Sequence, residues 1–149
     1  MTTVTSPLTG RVVGLTTVPD PVFSAAMVGP GTALEPAAGP ATAVAPLAGV
    51  VTTLHPHAFV VADGNGRGVL THLGIDTVQL GGAGFELLTR AGETVACGQP
   101  LVRWDPAEVA AAGKSPVCPV VALDASPASV RLLAEGSEVG TGDPLFVWD

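Results

Sequence analysis

The stretch Ala91-Gly-Glu-Thr-Val-Ala-Cys-Gly-Gln-Pro-Leu-Val-Arg-Trp-Asp105 returns later in the chain as Glu135-Gly-Ser-Glu-Val-Gly-Thr-Gly-Asp-Pro-Leu-Phe-Val-Trp-Asp149. Gly, Val, Gly, Pro, Leu, Trp and Asp recur at matching places. Each copy sets a Gly-bearing turn on either side of one buried Val and then sends the chain into an apolar strand. The prolines that open those strands, Pro100 and Pro144, stand where no ladder donor is lost. A fainter echo joins Ser6-Pro-Leu-Thr-Gly-Arg-Val-Val-Gly-Leu15 to Ala45-Pro-Leu-Ala-Gly-Val-Val-Thr-Thr-Leu54. Two related halves folded on each other produce both echoes, and two copies are too few to stack a solenoid. The expected class is all-β, an antiparallel β-sandwich or barrel-sandwich with an internal pseudo-repeat.

Composition agrees. The 149 residues include 19 Gly and 14 Pro, spread along the chain as in a fold of many short strands and turns. The length suits one domain over residues 1–149, with a core mostly of Val, Leu and Ala because aromatics are sparse. Helix is expected only in short connectors. Asp105-Pro106 caps and opens one that runs to a Gly113 stop, and Ser126-Pro127 opens a similar piece to Ala134. Between Gly29 and Pro46, Thr32–Pro36 and the run into Leu47 read as short strands.

The net charge of −7 arises from 13 acidic against 6 basic residues. With no Lys/Arg cluster, nucleic acid is not an expected partner. An acidic surface suits a partner with a basic docking face, and also serves solubility. Cys97 and Cys118 form no CxxC or Cys/His spacing, so two buried free thiols are expected. No secretory pattern opens the chain and no apolar stretch approaches bilayer length, so the reading is a cytoplasmic, non-inserted protein.

Two histidines carry the chemistry. His72 ends the apolar run Val69-Leu70-Thr71-His72-Leu73, and His57 lies at the head of another, His57-Ala58-Phe59-Val60-Val61. A lone histidine on an apolar strand is usually a packing residue, but two meeting on one β-surface suggest phosphoryl-transfer or metal chemistry. No G-x-x-x-x-G-K-[ST] loop exists and Lys114 is the one lysine, which argues against a nucleotide-dependent kinase. Neutral imidazole can instead attack an already activated phosphoryl group and form a phosphoramidate that can be passed on. That needs one free nitrogen, a hydrogen bond fixing the tautomer at the other, a group stabilising the phosphoryl oxygens, and apolar walls.

These residues resemble the glucose-type enzyme IIA family of the bacterial phosphoenolpyruvate-dependent sugar phosphotransferase system. The resemblance runs through Ser6–Gly10, Val18–Phe23, Met27–Gly31, Ala45–Gly49, His57–Phe59, Thr71–Val78, Gly84-Phe85 and Lys114–Val121. It implies a phosphotransferase in which His72 takes phosphate from phospho-HPr and hands it to the IIB domain of a glucose- or N-acetylglucosamine-type sugar permease. By the same resemblance His57 stabilises the transferred phosphoryl and the Gly74 carbonyl fixes the His72 tautomer. Asp20 and Asp76 match acidic positions at the site rim. Val22, Phe23, Val28 and Leu70 match apolar positions of the docking face. The implied partners are HPr, IIB/IIC permease subunits and regulated transporters or enzymes. No cofactor is required, although His57 and His72 can take up zinc adventitiously.

Two departures stand out. His55 occupies the place of a usual threonine two residues before His57, and Leu70 replaces a usual aromatic. For Asp20 and Asp76, a turn aspartate and a loop carboxylate are the plain structural alternatives.

Rival readings exist. His55-Pro56-His57 with His72-Leu-Gly-Ile-Asp76 also has H-x-H and H-x-x-x-D zinc-ligand spacing, similar to the LytM-type endopeptidases. In those, however, H-x-x-x-D comes first. The G-x-x-V-x-x-G-x-P-L turns also occur in biotinyl and lipoyl carriers, but Lys114 is not at a hairpin tip. A purely regulatory binding protein would use the same surface.

Overall fold

The computed structural model describes every residue, Met1–Asp149. In chain order it contains β1 (Thr2–Thr5), β2 (Gly10–Val13), α1 (Pro21–Ser24), β3 (Gly31–Pro36), β4 (Ala41–Val44), β5 (Gly49–His55), β6 (Ala58–Ala62) and β7 (Gly68–His72). There follow β8 (Phe85–Leu87), β9 (Thr94–Val95), β10 (Pro100–Trp104), α2 (Pro106–Ala111), β11 (Cys118–Ala122), β12 (Val130–Leu132), β13 (Glu138–Val139) and β14 (Pro144–Trp148). Single 3-10 turns occupy Leu15–Thr17, Thr77–Leu80 and Pro127–Ser129.

All pairings are antiparallel. One sheet of eight strands has the order β13-β2-β3-β11-β7-β6-β5-β9, and two three-stranded sheets have the orders β1-β14-β12 and β4-β10-β8. Each order is open, so the architecture is a sandwich and not a closed barrel. The two-residue strands β13 and β9 end the large sheet, leaving little edge to recruit another chain.

The sequence echoes are real structural repeats. Exchanging β13 with β9, β2 with β5, β3 with β6 and β11 with β7 reverses the order of the large sheet onto itself. The same exchange maps β1-β14-β12 onto β4-β10-β8. Hydrogen bonds repeat with it: Gly98 N–H donates to the Ala45 carbonyl at 2.8 Å, and Gly142 N–H to that of Ser6 at 2.9 Å. The shared glycine of the fainter echo also has a cause. A Cβ at Gly10 would lie 2.3 Å from the Glu35 carbonyl oxygen, and one at Gly49 2.1 Å from that of Ala62. Only glycine permits those strands to pass so closely.

Strand alternation divides the apolar residues between two clusters. Val12, Leu34, Phe59, Val61, Val69 and Val120 of the large sheet join Val4, Leu101, Trp104, Leu145 and Phe146 of the smaller ones in the main core. Each such fully buried side chain is worth about 2 kcal/mol in transfer from water. The intervening residues Ala33 and Val121, with Leu70 packed against them, face the other way and are covered by Leu15, Val18 and Phe23. The segment between β2 and β3 thus roofs the outer face of the large sheet.

Three local expectations change. The piece from Ser126 to Ala134 is not helical beyond one 3-10 turn: Val130, Arg131 and Leu132 pair with Trp148, Val147 and Phe146 of β14. Ladder partners available only in the folded chain override the Ser-Pro start. Cys97 is exposed, because it sits in the turn between β9 and β10 with its Sγ 3.3 Å from Thr5 Oγ1; Cys118 is buried. His57 lies in the turn joining β5 to β6, since His55 pairs directly with Ala58. By contrast α2 starts as read, with the Asp105 carboxylate accepting from Ala107 N–H at 2.9 Å.

Candidate functional site

His72 is the last residue of β7. Val69 and Thr71 point into the main core and are fully buried, so alternation turns Leu70 and His72 to the outer face, where both are half-buried. Directly across the ladder from His72 is Ala58, a small residue that leaves room for an imidazole. The His57 carbonyl accepts from Leu73 N–H at 2.7 Å, extending the pairing one step beyond the strand. The two imidazoles therefore stand edge to face, their centroids 5.2 Å apart at 69°.

Past His72 the chain turns through Gly74, whose φ of 81° is left-handed. A Cβ there would meet Thr77 Cγ2 at 2.7 Å and the Ser115 carbonyl at 2.9 Å, so glycine is required twice over. This turn brings the Gly74 carbonyl onto His72 Nδ1. A carbonyl can only accept, so Nδ1 carries the proton and Nε2 keeps its lone pair.

Burial lowers the His72 pKa below the ordinary 6.5, against the upward pull of the Gly74 carbonyl and of the Asp20 and Asp76 carboxylates. His57 is lowered as well, by burial and by the neighbouring His72 and His55. Both rings are thus neutral at pH 7. Asp20 has a second task, its Oδ1 accepting from Val22 N–H at 2.9 Å to cap α1. Asp76 adopts a φ of 60° at the head of the following 3-10 turn and caps nothing. The structural and electrostatic readings of Asp20 therefore coexist.

Phe23 is buried, and its ring meets His72 edge-on at 5.3 Å. Val22 is exposed, while Val28 and Leu70 are half-buried. Met27 and Val78, which motif reading did not single out as site residues, are 72% and 62% exposed on the segments flanking His72. Large apolar residues in Gly-rich turns were the available signal. His55 stacks on His57, centroids 5.6 Å apart at 20°. No group of three or more His, Cys, Asp or Glu side chains is arranged to hold a metal ion.

The family model for the phosphoenolpyruvate-dependent sugar phosphotransferase system, EIIA 1, matches residues 2–127. The chain belongs to this EIIA family. It is 38% identical over 135 residues to the "PTS system glucose-specific EIIA component" of Staphylococcus aureus, covering 90% of this chain and 81% of that protein. It is 37% identical over 142 residues to the "PTS system N-acetylglucosamine-specific EIICBA component" of Klebsiella pneumoniae, covering 95% of this chain and 22% of that one. The chain spans about a fifth of the length of such fused relatives. Its fold matches the glucose permease IIA of Mycoplasma capricolum with a TM-score of 0.89 and 32% identity, over 97% of this chain and 94% of that one. In this EIIA chain no helix is long and apolar enough to cross a membrane.

Proposed function

We propose that residues 1–149 act as a single glucose-type EIIA domain on the cytoplasmic side of the membrane, with His72 accepting a phosphoryl group from phospho-HPr. The observation that carries this reading is the bond between His72 Nδ1 and the Gly74 carbonyl, which leaves Nε2 as the nucleophile. In the accepting step, the Nε2 lone pair forms a bond to phosphorus. The bond from phosphorus to the donor breaks, and its electron pair leaves with the donor. The onward step reverses this: a nucleophile on the IIB domain of a glucose- or N-acetylglucosamine-type permease attacks phosphorus, and His72 departs with its electron pair. Burial suits both steps, since a neutral imidazole is a nucleophile and a competent leaving group.

His57, with its ring 5.2 Å from that of His72, serves the phosphoryl oxygens during transfer. Asp20 and Asp76 orient and tune His72. Val22, Phe23, Val28 and Leu70 form the apolar docking face, joined by Met27 and Val78. Residues 1–149 need no cofactor for this chemistry.

Incubation with enzyme I, HPr and phosphoenolpyruvate, without ATP, tests the assignment. The chain should gain one phosphoryl group as an acid-labile, base-stable adduct, and His72→Ala should abolish it. Full adduct in that variant would remove the central role of His72.

A further inference from the structure

We propose that Thr77 is a positioning residue for His72: its hydroxyl, by holding the Leu73 carbonyl, keeps the Gly74 carbonyl on Nδ1 and leaves Nε2 free. The proposal deepens the phosphocarrier reading and rests on it for its kinetic consequence.

The ladder between β7 and β11 ends at Thr71 and Val120, one residue before His72. Past that rung the chain is held by other partners. Leu73 N–H donates to the His57 carbonyl at 2.7 Å, and Ile75 N–H to the Ser115 carbonyl at 2.8 Å. Between these anchors lie the two peptide units that flank Gly74, and the second of them carries the carbonyl that meets His72 Nδ1. Glycine has no Cβ to resist torsion at its own φ and ψ. The turn must therefore be fixed by its neighbours.

Thr77 fixes it twice. Its Oγ1–H donates to the Leu73 carbonyl at 2.9 Å, pinning the first of the two peptide units. Its Cγ2 lies 2.7 Å from where a Cβ on Gly74 would stand, so the methyl lies against the turn. Leu73 is fully buried, Thr77 is 1% exposed, and no backbone N–H donates to the Leu73 carbonyl. Thr77 opens a 3-10 turn, yet its hydroxyl reaches back four residues and closes a loop around both left-handed residues of the segment, Gly74 at φ 81° and Asp76 at φ 60°. That loop carries the Gly74 carbonyl and the Asp76 carboxylate, both of which act on His72.

Without the hydroxyl a buried carbonyl would lose its donor, and the Leu73–Gly74 unit would gain by rotating toward another. Rotation about Gly74 passes to the next peptide unit and moves its carbonyl off Nδ1. Val78 is anchored separately, because Lys114 Nζ donates to Gln79 Oε1 at 2.6 Å within the same 3-10 turn. Loss of the hydroxyl thus acts on the ring and not on docking.

The test compares Thr77→Val, which removes the hydroxyl and keeps the branched shape, with Thr77→Ser, which keeps the hydroxyl and removes the methyl. Two readouts are needed on the full chain: the ¹⁵N shifts of the His72 ring without phosphate, and phosphoryl uptake at varied phospho-HPr. The valine variant should show an increased Nε2–H tautomer. Its rate at saturating phospho-HPr should fall about tenfold, the scale typical of partners that orient a histidine, with an unchanged half-saturating concentration. Serine should restore both ring shifts and rate. If valine does not fold, Thr77→Ala against Thr77→Ser gives the same comparison. A folded valine or alanine variant with wild-type ring shifts and rate would overturn the proposal. So would a serine variant as impaired as the apolar ones. Wild-type chain that takes no phosphate from phospho-HPr would sink the functional reading, while the ring shifts would still decide the positioning role.

Discussion

The backbone carbonyl of His57 accepts the amide of Leu73 at 2.7 Å, so the hairpin turn bearing one histidine is bonded to the residue that follows the other. That bond fixes the separation of the two backbones, from which the side-chain rotamers bring the rings to 5.2 Å. It allows His57 to be replaced without moving His72.

His57→Gln should therefore still accept phosphate from phospho-HPr but pass it to IIB about a hundredfold more slowly. Loss of one hydrogen bond made in the transition state costs about 3 kcal/mol. Rapid-quench measurement of the two half-reactions separates the steps, and near-normal rates in both would make His57 structural. His55→Thr serves as a control and should be tolerated, because His55 stacks on His57 and the ring contacts of His72 are with His57 and Phe23.

Gly74→Ala should lower stability and remove most phosphoryl uptake. A left-handed φ costs a non-glycine residue about 1–2 kcal/mol, and the added methyl would press on Thr77 and on the Ser115 backbone. The Nδ1 partner would move with it. Thermal melts and an uptake assay check this, and a variant with wild-type uptake would show that the carbonyl does not control the acceptor.

Acid should weaken both fold and function. The folded chain holds His72 and His57 below 6.5, chiefly by burial, while unfolding returns them toward that value. In the window between, the unfolded chain binds more protons, so stability is fully present above about pH 6.5 and is lost as pH falls through the folded values. Melting temperatures across pH 5–8 should show this rise, and it should flatten in His57→Gln. Asp20→Asn and Asp76→Asn remove an upward pull on His72, so an NMR titration should find its pKa lower still. Asparagine at position 20 keeps the cap on α1. An upward shift would mean that the carboxylates do not act on the ring. Asp76→Ala should remain phosphorylatable.

Zinc should inhibit and chelation should not. Two neighbouring imidazoles can take up the ion, and an occupied Nε2 cannot attack phosphorus. Phosphoryl transfer should be undiminished after EDTA and restored by EDTA after added Zn²⁺. Stoichiometric zinc with chelator-sensitive peptidase activity, lost in Asp76→Ala, would establish the hydrolase reading in its place.

Much of this was legible beforehand because its causes are local. The Gly-x-x-Val-x-x-Gly-x-Pro-Leu copies announce turns and strand starts through backbone constraints that each residue carries with it, and all four strands inside them form. Asp105-Pro106 caps and starts a helix for the same reason. The stretch from Ser126 misleads because Val130 and Leu132 find ladder partners in β14, far away in sequence. Cys97 misleads because a cysteine's usual burial says nothing about which side of a tight turn it will occupy.

By itself, then, the sequence determined the duplicated strand-and-turn plan and the two histidines, since turn glycines, helix caps and imidazole chemistry belong to single residues and short spacings. Only the tertiary structure decided that β7 lies beside β11 and β6, that the β2–β3 segment lays Phe23 against His72, and that the Ser115 carbonyl holds the turn after Gly74 through Ile75 N–H. Those contacts depend on which distant segments share one sheet and which face of it stays open. The tautomer of His72, and with it the free nitrogen, is a property of that assembly.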